Sequence, residues 1–200
     1  MRAILVHGFN STPDGQFIPS LAGALRDRGF DVVTPRLGLK LGEDGELKLP
    51  EIVESLRSQV GPVTGDDVFV GHSLGAFIIL QYLEAVEMTE TPRAVVMVAA
   101  PWKVSNQALR RLFIVDLDAD VLMWKAREYV VVHSKDDTMV PIDHAKRLAE
   151  SFRAKLVETD GCGHFMDAEY PILVEVIEDL KSRPFEFAPG HSLHDELANP

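Results

Sequence analysis

"DVFVGHSLGAFIILQYL" (67–83) changes character twice in a short space. Val68-Phe69-Val70 is an unbroken apolar run, which predicts a buried strand. From Ala76 the apolar residues take up helical spacing: Phe77, Leu80 and Leu83–Glu84 fall in register, with Ile79 and Val86 beside them. Only Gly71-His72-Ser73-Leu74-Gly75 separates the two patterns. A strand joined to a helix by so few residues needs a sharp turn, and Ser73 stands at its centre.

The same alternation runs through most of the chain. Strands are expected at 3–6 (AILV), 31–35 (DVVTP), 67–70 (DVFV), 94–100 (AVVMVAA), 129–134 (YVVVHS) and 154–159 (AKLVET). Most are short β-branched runs with little polar alternation, as strands covered on both faces are. Between them, 17–30 places Phe17, Leu21 and Leu25 on one helical face and can stop at Gly29. Helices opening on Pro50, Pro141 and Pro171 use proline where its missing N–H costs nothing. Strand–helix alternation predicts an α/β fold: a three-layer αβα sandwich on a mostly or wholly parallel sheet of about six strands.

Two segments break the rhythm. Residues 36–49 (RLGLKLGEDGELKL) form a Gly-rich connection, expected to loop over the sheet edge. Residues 101–128 are long for one crossover and are expected to hold two short helical pieces. With no linker and no internal repeat, 1–183 reads as one domain. Residues 184–200 carry several breakers and no period, and read as an extended or disordered tail.

Composition limits the function classes. The chain of 200 residues is 46% hydrophobic, enough for a sizeable core. With 31 acidic and 20 basic residues its net charge is −11, which repels nucleic acid and anionic lipid, so neither is expected as a partner. The lone cysteine, Cys162, rules out an intrachain disulfide and suits a reducing cytoplasm. The opening MRAILVHGFN is too short an apolar run for a signal peptide or a membrane span. A soluble cytoplasmic protein is expected.

Open α/β sheets bind ligands beyond the carboxyl ends of their strands. Those ends carry His7-Gly8-Phe9-Asn10, then GHSLG, then Pro101-Trp102, then Asp136 and Asp137, then His164 in DGCGHF. A hydroxyl, a carboxylate and an imidazole are thus expected along one sheet edge. A serine hydroxyl needs a base to take its proton as it attacks, and imidazole titrates in the working range. A carboxylate fixes the imidazole tautomer, and N–H donors must meet the oxyanion. Gly-x-Ser-x-Gly at a strand-to-helix turn meets these needs: small flanks let strand and helix pass closely, and the next N–H, that of Leu74, faces the oxyanion. The second donor is expected from the loop after the first strand, as the N–H of Phe9.

These residues resemble the α/β-hydrolase family. The likeness is carried by HGF at 7–9, GHSLG at 71–75, DDTMVP at 136–141 and GCGHF at 161–165, in the family's order, and spans residues 1 to about 183. Within that superfamily the chain looks most like the small capless serine hydrolases related to retinoblastoma-binding protein nine. It starts directly on the strand before the HGF loop and has no room for a large cap domain. The resemblance implies an α/β-hydrolase fold and a serine hydrolase with an acyl-enzyme intermediate. It implies Ser73 as nucleophile, His164 as base and, from the D-x-x-V-P spacing, Asp137 rather than Asp136 as the acid. The expected substrate is a small acyl compound, a carboxylic ester before a thioester or amide. Two other uses of the fold compete: acyl transfer with the same triad, and a protein-binding module with vestigial activity. A protein partner is not readable.

Other candidates read as structural. His7 is expected to bond backbone near its loop, His72 to pack or bond locally, and His133 to be a satisfied core residue. His144 falls on the polar side of its helix. A metal site from His191 and His194 is disfavoured, and Cys162 is expected to shape the turn before His164. DLDAD (116–120) starts like a calcium loop, but Val121 and Arg127 stand where glycine and glutamate are needed. No nucleotide or metalloprotease fingerprint appears, so neither cofactor nor metal is expected. Trp102, next to the active edge, is a candidate pocket wall.

Overall fold

The computed structural model describes residues 1–43, 45–103 and 117–182, and in them six strands form one sheet. They are β1 (Arg2–Val6), β2 (Asp31–Val33), β3 (Asp67–His72), β4 (Ala94–Val98), β5 (Tyr129–Ser134) and β6 (Lys155–Thr159). Their order is β2-β1-β3-β4-β5-β6, and every neighbouring pair is parallel. All six expected strands are present. β3 runs on to His72, so regular pairing reaches the residue before Ser73.

The four inner strands are almost wholly buried, the edge strands β2 and β6 only partly, and successive side chains divide between two cores. Ile4 and Val6 of β1 join one apolar cluster while Ala3 and Leu5 join the other. The first cluster takes in α2 (Leu49–Val60), α3 (Leu74–Ala85) and α5 (Ile142–Ser151), through residues such as Leu56, Phe77 and Leu148. The second takes in α1 (Ile18–Asp27) and α6 (Pro171–Ser182), through Leu25 and Ile177. Two helical layers thus enclose the sheet. Fully burying a side chain such as Leu56 or Ile177 contributes about 2 kcal/mol relative to leaving it exposed. α3 is apolar on nearly every side because it packs on the sheet with α2 beside it, and so lacks the amphipathic stripe of the outer helices.

The amino ends of β1 and β3 are tied by charge. Arg2 forks onto the buried Asp67, with Nε 2.9 Å from Oδ1 and Nη2 2.6 Å from Oδ2. Thr64 donates to the same carboxylate through its N–H and its hydroxyl, both at 2.9 Å. The buried charge is therefore paired and its lone pairs are used.

The chain passes from β1 out to β2 and back across to β3, so the winding reverses between β1 and β3. Ligands in such sheets bind at the carboxyl side of that reversal. The 36–49 connection does more than round the edge: Leu37, Leu39 and Leu47 are buried against the α2 side of the core. The Leu39 carbonyl accepts from the Asn10 N–H at 2.8 Å, so this segment props the loop after β1. In 101–128 one short helix is described, α4 (Ala119–Leu122), and 104–116 lies outside the described residues. So does the 184–200 tail, with His191 and His194. Among the described residues no helix is long and apolar enough to cross a membrane.

Candidate active site

The register of β1 with β3 pairs Val6 with Gly71. Two chains therefore leave the sheet side by side, one as His7-Gly8-Phe9 and the other as His72-Ser73. Glycines make this closeness feasible. A Cβ on Gly71 would lie 2.5 Å from the backbone nitrogen of Ala76, and one on Gly75 would lie 2.6 Å from the Val6 carbonyl oxygen. Neither backbone has room to move away, so both flanks of Ser73 must be glycine for α3 to start against β1. A Cβ on Gly8 would come 3.3 Å from the Ser73 Cβ, so this loop also closes on the serine.

Ser73 itself sits at φ 51°, ψ −120°. Such backbone costs a non-glycine residue about 1–3 kcal/mol and persists only where its surroundings enforce it. Here the Ser73 N–H donates to the Val98 carbonyl at 2.8 Å, and the Ser73 carbonyl accepts from Ala76 N–H at 3.1 Å. The turn lifts the hydroxyl off the end of the sheet. Among the described residues, the N–H groups of Phe9 and Leu74 have no hydrogen-bond partner. The Leu74 N–H also opens α3, where the helix dipole favours negative charge.

The imidazole of His164 reaches the hydroxyl from the other side. Its Nε2 is 3.1 Å from Ser73 Oγ, and its Nδ1 is 2.8 Å from Asp137 Oδ2. Asp137 turns its other oxygen, Oδ1, to the N–H groups of Met139 and Val140 at 2.8 and 2.9 Å. Burial alone would push the Asp137 carboxyl up. The bond to His164 and the two amides outweigh it and hold the group below its ordinary value. An ionised acid therefore receives Nδ1–H and leaves the lone pair of Nε2 facing the hydroxyl. That arrangement can accept a proton from Oγ and return it to a leaving group.

The neighbouring aspartate has a separate task. Asp136 Oδ1 accepts from the N–H groups of Gly161 and Gly163, both at 3.1 Å, and from the Ser134 hydroxyl. The Ser134 bond and these amides hold its carboxyl below the ordinary value. Ser134 Oγ in turn accepts from the Cys162 N–H at 3.1 Å. Asp136 thus fastens the turn that carries His164, and Cys162 is one of that turn's anchored residues.

Three other histidines do more than their local spacing suggested. His72, expected to pack or bond locally, packs against Phe17 and also sends Nε2 to the His164 carbonyl at 2.9 Å, across 92 residues of chain. Burial pushes its pKa down to about 4, so the ring is neutral and this nitrogen donates. His133 donates from Nε2 to the Val140 carbonyl at 2.7 Å and lies 3.5 Å from Asp137 Oδ2, bracing the acid's turn. His144, expected on a polar helix face, is partly buried and accepts at Nδ1 from the N–H of Trp102 at 2.9 Å and of Lys103 at 3.3 Å. Each partner is distant in sequence or lies in irregular backbone, so no periodic pattern marks it. His7 keeps to the backbone, with Nδ1 3.0 Å from the Gly8 carbonyl and Nε2 accepting from Leu37 N–H at 3.2 Å.

Trp102 lines an apolar cavity of about 90 Å³. Ala76, Phe77 and Leu80 of α3 form one side, and Ala100 and Leu148 face them. None of Ser73, Asp137 and His164 is among its lining residues; it begins one helical turn beyond the serine. No cluster of metal-ligating side chains occurs among the described residues. In the 116–120 stretch, the Asp118 carboxylate caps α4 through the N–H groups of Asp120 and Val121.

Comparison with known proteins agrees with this architecture. The YdeN protein of Bacillus subtilis (strain 168) is 24% identical over 188 residues, which cover 91% of this chain and 97% of that protein. The crystal structure of the B. subtilis ydeN product superposes with a TM-score of 0.83, at 23% identity over 91% of this chain and 99% of that one. A hydrolase of the alpha/beta superfamily from Xanthomonas campestris pv. campestris gives 0.64, at 26% identity with the same coverage. Est1E from Butyrivibrio proteoclasticus, in its complex with ferulic acid, gives 0.69 at 14% identity, over 90% of this chain and 87% of that one. The fold is that of the α/β-hydrolases, with no large cap evident among the described residues. Residues 4–180 match the family described as serine hydrolase, and the chain belongs to that family.

Proposed function

We propose that this protein hydrolyses small carboxylic esters through an acyl-enzyme formed on Ser73. The observation that carries the reading is the unbroken path from Ser73 Oγ through His164 to the ionised Asp137. Ser73 Oγ bonds to the substrate's carbonyl carbon as its proton passes to His164 Nε2. The carbonyl electrons move onto oxygen, which the Phe9 and Leu74 N–H groups receive. The carbonyl re-forms, the bond to the alcohol breaks, and His164 protonates the departing oxygen. Water then repeats the sequence against the acyl-enzyme, giving its proton to His164 and releasing the acid. Asp137 stabilises the imidazolium in both halves.

Ester chemistry is placed before amide cleavage because an alcohol leaves more readily than an amine; a thioester would pass through the same steps. The ferulic acid complex of Est1E shows an aromatic carboxylic acid held on this fold in that protein. In the same reading the chain falls with the capless hydrolases related to retinoblastoma-binding protein nine. It works in the cytoplasm, without cofactor, on a small acyl substrate.

The test is a fluorophosphonate probe applied to the purified protein, with the adduct mapped by mass spectrometry. Labelling is expected at Ser73 and absent in Ser73→Ala, whose turnover of p-nitrophenyl acetate falls by at least ~10⁴-fold. A folded protein that takes no label would sink the proposal.

A further inference from the structure

Resting on Ser73 as the nucleophile, we infer that His7 is a positioning residue: its Nδ1–H holds the Gly8 carbonyl and so turns the Phe9 N–H toward the oxyanion. No cis peptide occurs among the described residues, so the C=O and N–H of the Gly8–Phe9 peptide point in opposite directions. Whichever of them the loop turns to the serine, the other turns away. Gly8 leaves that choice open, because glycine has the freest backbone. A side chain has little room there: a Cβ on Gly8 would come 3.1 Å from His72 Nδ1 and 3.3 Å from Ser73 Cβ. A flipped peptide would set a carbonyl oxygen where the oxyanion forms, and the two would repel. A group outside the peptide must therefore hold it.

His7 is placed to do so. Its ring is buried, with Nδ1 3.0 Å from the Gly8 carbonyl oxygen. The tautomer is set from the other side of the ring. Nε2 accepts from the Leu37 N–H at 3.2 Å, and a ring nitrogen that accepts carries no proton. The proton of the neutral ring is then on Nδ1, where it donates to Gly8. Burial pushes the His7 pKa down, which keeps the ring neutral. The Ser11 N–H reaches the same carbonyl at 3.3 Å, a longer bond. The next peptide is held as well, by the Asn10 N–H donating to the Leu39 carbonyl at 2.8 Å. Leu37 and Leu39 are both buried, so a packed stretch of the 36–49 connection is the frame against which the oxyanion amide is set. The Phe9 N–H, without a partner among the described residues, is the group this leaves for the substrate.

The experiment uses two substitutions that divide the two bonds of the ring. In His7→Asn the amide nitrogen stands near the place of Nδ1, so it can keep the bond to Gly8 and lose that to Leu37. In His7→Gln the amide oxygen reaches the place of Nε2, so it can keep the bond from Leu37 and lose that to Gly8. His7→Gln is expected to lower kcat for p-nitrophenyl acetate about 100-fold with KM little changed, as loss of one oxyanion donor does. His7→Asn should recover about tenfold or more of that loss. Binding of a trifluoromethyl ketone, which forms an oxyanion on Ser73, should weaken in step with kcat across wild type and both variants. A His7→Gln protein with wild-type kcat, or a His7→Asn protein no faster than His7→Gln, would overturn the role of His7 and leave the hydrolase standing. Wild-type protein that takes no fluorophosphonate label would overturn the hydrolase and the role together. Should the variants fail to fold, nitrogen NMR of the wild type with isotope-labelled histidine decides. A proton on His7 Nδ1 is expected, and a proton on Nε2 instead would overturn the role.

Discussion

His72 Nε2 lies 2.9 Å from the carbonyl oxygen of His164, so the residue before the elevated serine holds the backbone of the residue that presents the imidazole. The two rings are 5.2 Å apart, and Phe17 meets the His72 ring edge-on at 5.3 Å. The distance between Ser73 Oγ and His164 Nε2 therefore depends on a contact that touches neither atom.

Replacing His72 by Phe should lower kcat by ~10–100-fold with little change in KM, because misplacing a reacting group by about 1 Å costs that order. The His164 carbonyl also loses its buried donor, at a cost of about 1–3 kcal/mol in urea unfolding. His72→Gln, which keeps an N–H donor, should recover part of the rate. A His72→Phe protein with wild-type kcat would show that the contact is structural alone.

The two aspartates should separate cleanly. Asp137→Asn leaves the shape of the site but supplies an amide where His164 Nδ1 needs an acceptor. It should cost ~10⁴-fold in kcat with an unchanged circular dichroism spectrum. Asp136→Ala frees the Gly161 and Gly163 amides and should cost only ~10-fold, through a looser His164 turn. The reverse order in steady-state kinetics would assign the acid to Asp136.

Gly75→Ala places a methyl 2.6 Å from the Val6 carbonyl, where two backbones must part. A loss of at least ~3 kcal/mol, or no folded protein, is expected. Gly23→Ala is the control within α1, where an added Cβ meets nothing within 4 Å. It should raise stability by about 0.5–1 kcal/mol in thermal unfolding, as removing a helix-interior glycine does.

Acid should destabilise the fold well before the carboxylates titrate. Burial depresses His72 to about 4 and pushes His7 and His133 down in the same direction. In the unfolded chain these rings protonate near ~6.5. Between that value and about 4 the unfolded state binds more protons, so stability is full above ~6.5 and is lost as pH falls. His72 alone accounts for about 3 kcal/mol over this range, at about 1.4 kcal/mol per pH unit. Urea midpoints at pH 7, 6 and 5 should fall in that order, and less steeply in His72→Gln. A midpoint constant from pH 7 to 5 would contradict this account.

Much of this molecule is written in local patterns. The apolar run 68–70 and the helical spacing after Ala76 place β3 and α3 within two residues of their observed limits. Short apolar runs mark all six strands; burial on both faces keeps polar residues few in the inner four, while the edge strands β2 and β6 retain exposed Asp31, Lys155 and Glu158. The strand ends then name the chemistry-bearing side chains. What depends on register is absent from such patterns. That Gly71 pairs with Val6, that His72 meets the His164 carbonyl, that Asp136 grips the His164 turn while Asp137 takes the imidazole: each joins residues whose separation along the chain carries no period. The cavity beside α3 is likewise a gap between α3, α5 and the turn after β4, and belongs to none of them singly. Sequence by itself determined which elements form and which groups they carry to one edge, since periodicity and turn chemistry act over a few residues. Only the tertiary structure decided which of those groups meet, because strand register and helix packing set distances to a fraction of an ångström between segments far apart in the chain.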